Sequence, residues 1–257
     1  MRSRREPSPT TSSPNRRPDF GARAARYDEL RPVDDNWWEL FETLVRVGDL
    51  RGHRVLEVGC GTGTFTVALA ERARVWAVDA APEMIEVARR RDVERRVGWR
   101  VADAHALPFR EGWFERVVMR LVVHLVDRAH AFGEALRVLR PDGRLVIATF
   151  DPSHFDRYWL NHLFPSLEKI DRGRFPTQPQ LERELLESGF REVESVRLSQ
   201  SAETSRDTAL EKIRGRHIST FDLIDEVEYG AGVERAAHEL PERVPVSVEW
   251  VIAVATL

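Results

Sequence analysis

The sequence predicts a doubly wound α/β fold, and three observations support this prediction. Short apolar segments alternate with amphipathic segments of helical periodicity between residues 54 and 150. One apolar segment runs straight into a glycine-rich turn at residues 59–63, and a helical pattern follows it. The chain has 257 residues, 42% of them hydrophobic, so it can bury one large core. Short strands separated by helices form a parallel sheet with right-handed crossovers.

The spacing of apolar residues places the elements in order. Asp34, Asp35 and Asn36 offer an N-cap for a first amphipathic helix that contains Trp37 and Val45. Five strands are then expected at 54–58, 75–78, 98–102, 114–119 and 144–150, the last after a turn at 141–143. Helices are expected between them at 63–72, 82–91 and 129–139.

The regular alternation ends after residue 150. Residues 151–177 are rich in aromatic side chains but have no clear period, which is typical of a lid inserted after the fifth strand. A helix at 178–188, a strand at 192–198, a second helical insertion at 207–240 and a strand at 246–255 complete a domain predicted over residues 19–257.

Charge and composition exclude several classes of function. Residues 1–26 carry a net charge of +5 against −3 for the whole chain, so the remainder is acidic and nucleic-acid binding is not expected. The Pro-, Ser- and Thr-rich start predicts a disordered tail over residues 1–18. No apolar run is long enough to span a membrane, and we expect a cytoplasmic protein. With Cys60 as the only cysteine, an internal disulfide and a multi-cysteine metal site are excluded, and no metal is expected.

The glycine turn predicts a binding site for a nucleotide-like ligand. Asp79 closes the second strand twenty residues after Gly59, where a carboxylate can bind the two hydroxyls of a ribose. These two features also fit a dinucleotide enzyme, but the position that the dinucleotide fingerprint reserves for Gly or Ala is Thr64. Glu57, two residues before the first glycine, would repel a pyrophosphate and suits a cationic ligand such as S-adenosylmethionine.

Three segments resemble the signatures of a known family. They are Glu-Val-Gly-Cys-Gly-Thr-Gly at 57–63, Asp79, and Ala-Asp-Ala-His-Ala-Leu-Pro-Phe at 102–109. Together they resemble the class I S-adenosylmethionine-dependent methyltransferases, and more narrowly the small-molecule branch that includes the ubiquinone and menaquinone biosynthesis enzymes. The resemblance is strong over about residues 20–150. It implies a Rossmann-like sheet of seven strands with the last strand antiparallel, S-adenosylmethionine as cofactor and a small-molecule methyl acceptor.

The resemblance also implies a role for each cofactor-binding residue. Three of these assignments have structural alternatives. The glycine turn can be a plain strand-to-helix connection, Asp79 can simply cap the following helix, and Tyr27 can pack on the core without touching a ligand. The implied set is Gly59, Gly61 and Gly63 for the turn, Glu57 for the amino-acid end, Asp79 for the ribose, Asp103 and the Ala104 backbone for the adenine, Arg120 for the methionine portion, and Tyr27 for a segment that folds over the cofactor.

Residues for the acceptor are expected after the fourth and fifth strands, at the sheet edge where ligands bind in open α/β folds. His124 is placed there to act as a general base, although a loop histidine that only packs or faces solvent is the alternative. Tyr158, Trp159 and His162 of the lid are expected to line the acceptor pocket, with a purely structural cap as the alternative.

Two other functions stay open, and one acceptor class is excluded. The chain could bind S-adenosylmethionine without ordinary methyl transfer, or it could be a non-catalytic binding protein that keeps the fold. Methylation of cytosine carbon needs a cysteine nucleophile near the fourth strand, and Cys60 lies in the glycine turn instead. Residues 119–124 also lack the Pro-Pro-aromatic motif of amino-methylating DNA enzymes.

Overall fold

The computed structural model describes residues 18–257, so nearly all of the tail expected at 1–18 lies outside the described residues. Parallel strands form because each apolar segment is followed by a helix that returns the chain to the same end of the sheet. The strands are β1 (Arg54–Val58), β2 (Arg74–Asp79), β3 (Gly98–Val101), β4 (Phe114–Arg120), β5 (Leu139–Phe150), β6 (Glu192–Ser205) and β7 (Arg243–Thr256).

All seven strands belong to one sheet with the order β3-β2-β1-β4-β5-β7-β6. The first five pair in parallel, whereas β7 runs antiparallel to both β5 and β6. The predicted seven-stranded doubly wound sheet with an antiparallel last strand is therefore confirmed. Strand order reverses between β1 and β4, where Val58 pairs with Met119, and ligands bind at such a switch point in open α/β sheets.

Helices cover both faces of this sheet. The first begins as the sequence predicts, because the Asp34 side chain accepts a hydrogen bond from the Trp37 amide. Within residues 18–257, no helix is long and apolar enough to cross a membrane. The helices are α1 (Asp35–Val47), α2 (Thr64–Ala70), α3 (Pro82–Arg91), α4 (Arg128–Val138), α5 (Leu167–Arg174), α6 (Gln178–Glu187), α7 (Arg206–Arg214) and α8 (Glu226–Glu239).

Alternate residues of the central strands point to opposite faces of the sheet, where they pack in two apolar layers. Leu56 packs in a cluster with Phe132 of α4 and Leu185 of α6, whereas its neighbour Val55 packs on the other face with Phe41 of α1. Burial on both faces explains why the central strands read as continuous apolar runs.

The two C-terminal strands are longer than their apolar patterns indicate. Expected at 192–198 and 246–255, they pair without interruption from Glu192 opposite Thr256 to Ser205 opposite Arg243. Residues 199–205 are mostly polar, and they form a strand because the partner strand supplies their backbone hydrogen bonds. This extension carries the chain into α7 and α8.

The two segments expected to be insertions pack on each other. Phe164 from the first and Phe221 and Ala236 from the second lie in one buried apolar cluster. The rings of Phe164 and Phe221 are in contact in this cluster, with 4.8 Å between their centroids. We call the joint structure formed by residues 151–177 and 207–240 the cap.

Candidate functional site

The glycine turn follows β1 and leads into α2. Gly59 has φ +73°, and a Cβ there would lie 2.6 Å from Cγ2 of Val122. Gly61 has φ +54°, and a Cβ there would meet no atom within 4 Å. The first glycine is thus required by close packing, whereas the second presents bare backbone to open space. Gly63, with φ +78°, is the N-cap of α2.

Asp79 holds the turn in place from the end of β2. Its Oδ2 accepts a hydrogen bond from the Gly61 amide at 2.8 Å, and its Oδ1 accepts one from the Ala81 amide at 2.9 Å. Burial raises the pKa of this carboxyl, and the backbone N–H donors oppose the shift. The Asp79 carboxylate therefore fixes two backbone segments, the start of the chain toward α3 and the glycine turn.

Glu57 is the buried carboxylate under the turn, with only 1% of its surface exposed. Burial raises its pKa to about 7, while the positive charge of Arg120 and the Thr66 hydroxyl favour the ionised form. The Thr66 hydroxyl donates to Oε2 at 2.5 Å. Arg120 lies over the ring of Phe65 at 5.7 Å, and its buried Nε has no hydrogen-bond partner in residues 18–257.

Asp103 and Ala104 follow β3, at the same edge of the sheet as the glycine turn that follows β1. The Asp103 carboxylate accepts from the backbone amide of His105 at 2.9 Å and faces the His105 ring nitrogen at 2.7 Å. Asp103 is exposed, whereas Ala104 is buried. One carboxylate oxygen thus orders the loop and the other stays accessible.

The N-terminal segment that contains Tyr27 is attached directly to the glycine turn. Asp28 accepts hydrogen bonds from the hydroxyls of Thr62 at 2.7 Å and Thr64 at 3.2 Å, and it forms an ion pair with Arg91. Sequence reasoning missed Asp28, although its position next to Tyr27 was a usable signal. Its contacts join residues 34 to 63 positions apart, which no local pattern indicates.

His124 follows β4 and lies in an aromatic cluster. Its ring stacks on Phe175 with 4.1 Å between centroids and 16° between planes. Its Nδ1 is buried and has no hydrogen-bond partner in the described chain. Burial, with the nearby charge of Arg174, lowers its pKa well below the ordinary value, so the imidazole is neutral at pH 7.

The last residue of β5 and several residues of the cap extend the same cluster. Phe150 lies 5.5 Å from Phe175, His154 lies 4.6 Å from Phe150, and Tyr158 lies 4.8 Å from His154, all between ring centroids. Burial lowers the pKa of His154 to about 4, and its Nδ1 is also buried without a partner in residues 18–257. A row of three rings, Phe175, Phe150 and His154, therefore connects His124 to Tyr158. The sequence analysis did not single out Phe175.

The other two residues predicted to line the acceptor pocket are His162 and Trp159. His162 is exposed, since the buried neighbours Leu160 and Leu163 turn the intervening side chain toward solvent. A role for His162 in acceptor binding stays a prediction. Trp159 is half-buried against the apolar cluster of the cap, and its ring stacks on His217 with 6.3 Å between centroids.

Comparison with known proteins identifies the family. A model described as a methyltransferase domain matches residues 56–147, which contain the glycine turn, Asp79, Asp103 and His124. A malonyl-[acyl-carrier protein] O-methyltransferase of Geobacter sulfurreducens is 35% identical over 188 residues, covering 68% of this chain and 69% of the relative. The chain belongs to the S-adenosylmethionine-dependent methyltransferases. The predicted small-molecule class I family, its cofactor and its enzymatic activity are confirmed.

Further similarities agree with this methyltransferase assignment. A ubiquinone/menaquinone biosynthesis C-methyltransferase of Desulfotalea psychrophila is 33% identical over 141 residues, covering 52% of this chain and 57% of the relative. A crystal structure of a methyltransferase from an antibiotic biosynthesis pathway of Anabaena variabilis superposes with a TM-score of 0.74 at 23% identity. It covers 90% of this chain and 100% of its own, which supports the fold. The matches span only 57% to 69% of the two curated relatives.

Proposed function

We propose that this methyltransferase transfers the methyl group of S-adenosylmethionine to a small acceptor bound between His124 and the cap. The observation that carries the proposal is the neutral His124 imidazole, whose buried Nδ1 lacks a partner within the described residues. A neutral ring nitrogen in a dry site can take a proton as an acceptor oxygen or nitrogen attacks the methyl carbon. The products are the methylated acceptor, S-adenosylhomocysteine and a proton on His124.

The cofactor half of the site is proposed from the turn and its neighbours. Gly61 offers bare backbone, and Asp79 lies beside it with lone pairs left for ribose hydroxyls. Glu57 suits the cofactor's ammonium group, and the unpartnered Nε of Arg120 suits its carboxylate. Asp103 has an accessible carboxylate oxygen for the adenine amino group, next to the Ala104 backbone.

Tyr27 is proposed to cover the bound cofactor. Asp28 attaches its segment to the turn, and the Arg31 guanidinium lies over the Tyr27 ring at 3.9 Å. This arrangement fixes the tyrosine near the turn without burying it completely. A ring in that position excludes water from the sulfonium group.

The acceptor half is proposed from the cap. Tyr158 is half-buried, and burial together with the charge of Asp171 raises its pKa. Its ring contacts His154 and Phe155, and Phe155 contacts Phe175, so these rings form an aromatic wall that suits a planar or partly apolar acceptor. We therefore propose residues 151–177 and 207–240 as the part of the domain that selects the acceptor, with Trp159 supporting the wall from inside the cap.

The acidic charge of the chain after residue 26 supports an acceptor other than a nucleic acid. A single cysteine is compatible with a reducing compartment, so we also propose a cytoplasmic location. Cell fractionation with a C-terminal tag would test the location, and recovery in a membrane or secreted fraction would contradict it.

The base assignment is tested with His124→Ala and, as a matched control, His130→Ala, whose side chain is exposed. Both variants should bind S-adenosylhomocysteine as the parent does, measured by calorimetry. With an acceptor found by screening the parent enzyme, His124→Ala should lower kcat by roughly a hundredfold and His130→Ala should not. An unchanged kcat in His124→Ala across pH 6–9 would show that His124 is not the general base. If S-adenosylhomocysteine gives no binding heat with the parent, the cofactor site itself is wrong.

A further inference from the structure

The loop between β4 and α4, residues 121–127, carries the proposed base His124, and its start is fixed at two points. Leu121 has φ +52°, a conformation that a branched side chain disfavours, and its amide donates to a backbone carbonyl of β5 at 2.8 Å. Val122 packs against the glycine turn, since a Cβ on Gly59 would lie 2.6 Å from its Cγ2. The sheet and the turn therefore set the start of this loop.

The end of the same loop is held from a different part of the chain. The backbone amide of Asp127 donates to Nε2 of His105 at 3.0 Å, across 22 positions of sequence. Asp127 is also the N-cap of α4, where its side chain accepts a hydrogen bond from the His130 amide at 3.1 Å. The His105 contact therefore fixes the residue at which the loop ends and the helix begins.

This contact determines where the hydrogen of the His105 ring lies. A backbone amide can only donate, so Nε2 must be the unprotonated nitrogen, and the neutral ring carries its hydrogen on Nδ1. Nδ1 lies 2.7 Å from Oδ1 of Asp103, which accepts this hydrogen. A second proton, on Nε2, would set two donors against each other and break the contact with Asp127. One neutral imidazole thus joins the Asp103 carboxylate to the end of the loop.

Asp103 is the carboxylate proposed to bind the adenine of the cofactor. Its Oδ1 accepts two hydrogen bonds from His105, one from Nδ1 and one from the backbone amide at 2.9 Å. Its Oδ2 is then the oxygen available to the adenine amino group. A row of contacts therefore runs from the adenine side of the cofactor site, through Asp103 and His105, to the loop that carries His124.

We propose that His105 is a positioning residue, which links the adenine-binding carboxylate to the loop that carries the general base. Its Nδ1–H orients the Asp103 carboxylate, and its Nε2 holds Asp127 so that His124 keeps its place beside the cap. The His105 side chain is 35% exposed, so we expect a small effect on global stability and a larger one on the loop. The inference rests on the proposed function, since it assigns His105 to the same site.

Two substitutions separate the two ends of this link. A side-chain amide at the γ position replaces Nδ1, whereas one at the δ position reaches the place of Nε2. His105→Asn therefore keeps a donor for Asp103 and loses the acceptor for Asp127, and His105→Gln does the reverse. His130→Gln is the matched control, because the His130 side chain is 76% exposed and contacts the carboxylate of Asp127 rather than its backbone amide.

The first measurement is the tautomer of His105. Nitrogen-15 NMR of the ligand-free protein at pH 8, with histidine labelled, shows which ring nitrogen carries the hydrogen, and the His105 signals are those missing from His105→Gln. The expected position is Nδ1. A hydrogen on Nε2 would overturn the proposal, because Nε2 could not then accept from Asp127.

The second measurement is hydrogen exchange of the Asp127 amide. At pH 8 it should be at least about fivefold faster in His105→Asn than in the parent, and parent-like in His105→Gln and His130→Gln. Protonation of His105 by acid, followed in the same NMR spectra, should remove the protection in the parent but not in His105→Gln. Asp103, Asp127 and His130 titrate in both proteins, so this difference reports His105. Equal exchange in the parent and His105→Asn would contradict the proposal.

The third measurement separates positioning from cofactor binding. With an acceptor found by screening, His105→Asn should lower kcat about tenfold with little change in the KM for S-adenosylmethionine, and His105→Gln should restore most of it. A parent-like kcat in His105→Asn would exclude the positioning role. Failure of the proposed function would look different, because an unchanged kcat in His124→Ala would remove the base while the tautomer and the exchange pattern stayed as expected.

Discussion

Replacing Glu57 with glutamine should make the free energy of unfolding of the ligand-free protein less dependent on pH. Burial raises the pKa of Glu57 to about 7, against an ordinary value of 4.5. The native state therefore holds this proton more tightly than the unfolded state does. Its contribution to stability is complete below pH 4.5 and is lost as the pH rises through about 7.

The magnitude follows from that pKa. A group with a native pKa near 7 loses about 1.4 kcal/mol of its contribution to the free energy of unfolding between pH 6 and pH 8. Glutamine cannot ionise, but its amide oxygen can still accept the hydrogen bond from Thr66. The parent should thus lose about 1.4 kcal/mol more than Glu57→Gln over this interval, because changes from other groups are common to both.

Urea unfolding of the ligand-free proteins at pH 6 and pH 8 measures this difference. Glu71→Gln is the control, since Glu71 is exposed at the end of α2. The affinity of the parent for S-adenosylhomocysteine should rise about tenfold over the same interval, because the ionised carboxylate is the form that binds an ammonium group. Equal losses of unfolding free energy in the parent and Glu57→Gln would refute the reasoning.

Three other substitutions test the turn and its supports. Gly59→Ala should lower the free energy of unfolding by about 2 kcal/mol or more, since its Cβ would lie 2.6 Å from Val122; an unchanged urea midpoint would contradict this. Asp79→Ala should weaken binding of S-adenosylhomocysteine by about 2 to 4 kcal/mol in calorimetry, and parent-like affinity would show that the carboxylate only shapes the turn. Asp28→Asn should speed proteolytic cleavage of the N-terminal segment and weaken the same ligand about tenfold, because it removes the charge that holds Thr62; cleavage at the parent rate would exclude this role.

The alternation of strands and helices could be predicted because it depends on local periodicity. Burial on both faces makes the central strands continuously apolar, and right-handed crossovers restrict the orders in which these strands can pair. The glycine turn was equally visible, since a positive φ and close packing at Gly59 both demand glycine. The extension of β6 through residues 199–205 was not visible, because pairing with β7 rather than apolar patterning stabilises it.

By itself the sequence determined the doubly wound core, the glycine turn with Glu57 and Asp79, and the position of His124 after the fourth strand. Only the tertiary structure decided which cap residues face that histidine: Phe175 stacks on it, whereas His162 points to solvent. It also decided that Asp28 accepts hydrogen bonds from the hydroxyls of Thr62 and Thr64 in the turn. The physical reason is range, since periodicity and backbone conformation act over a few residues, whereas these contacts join residues far apart that meet only after folding.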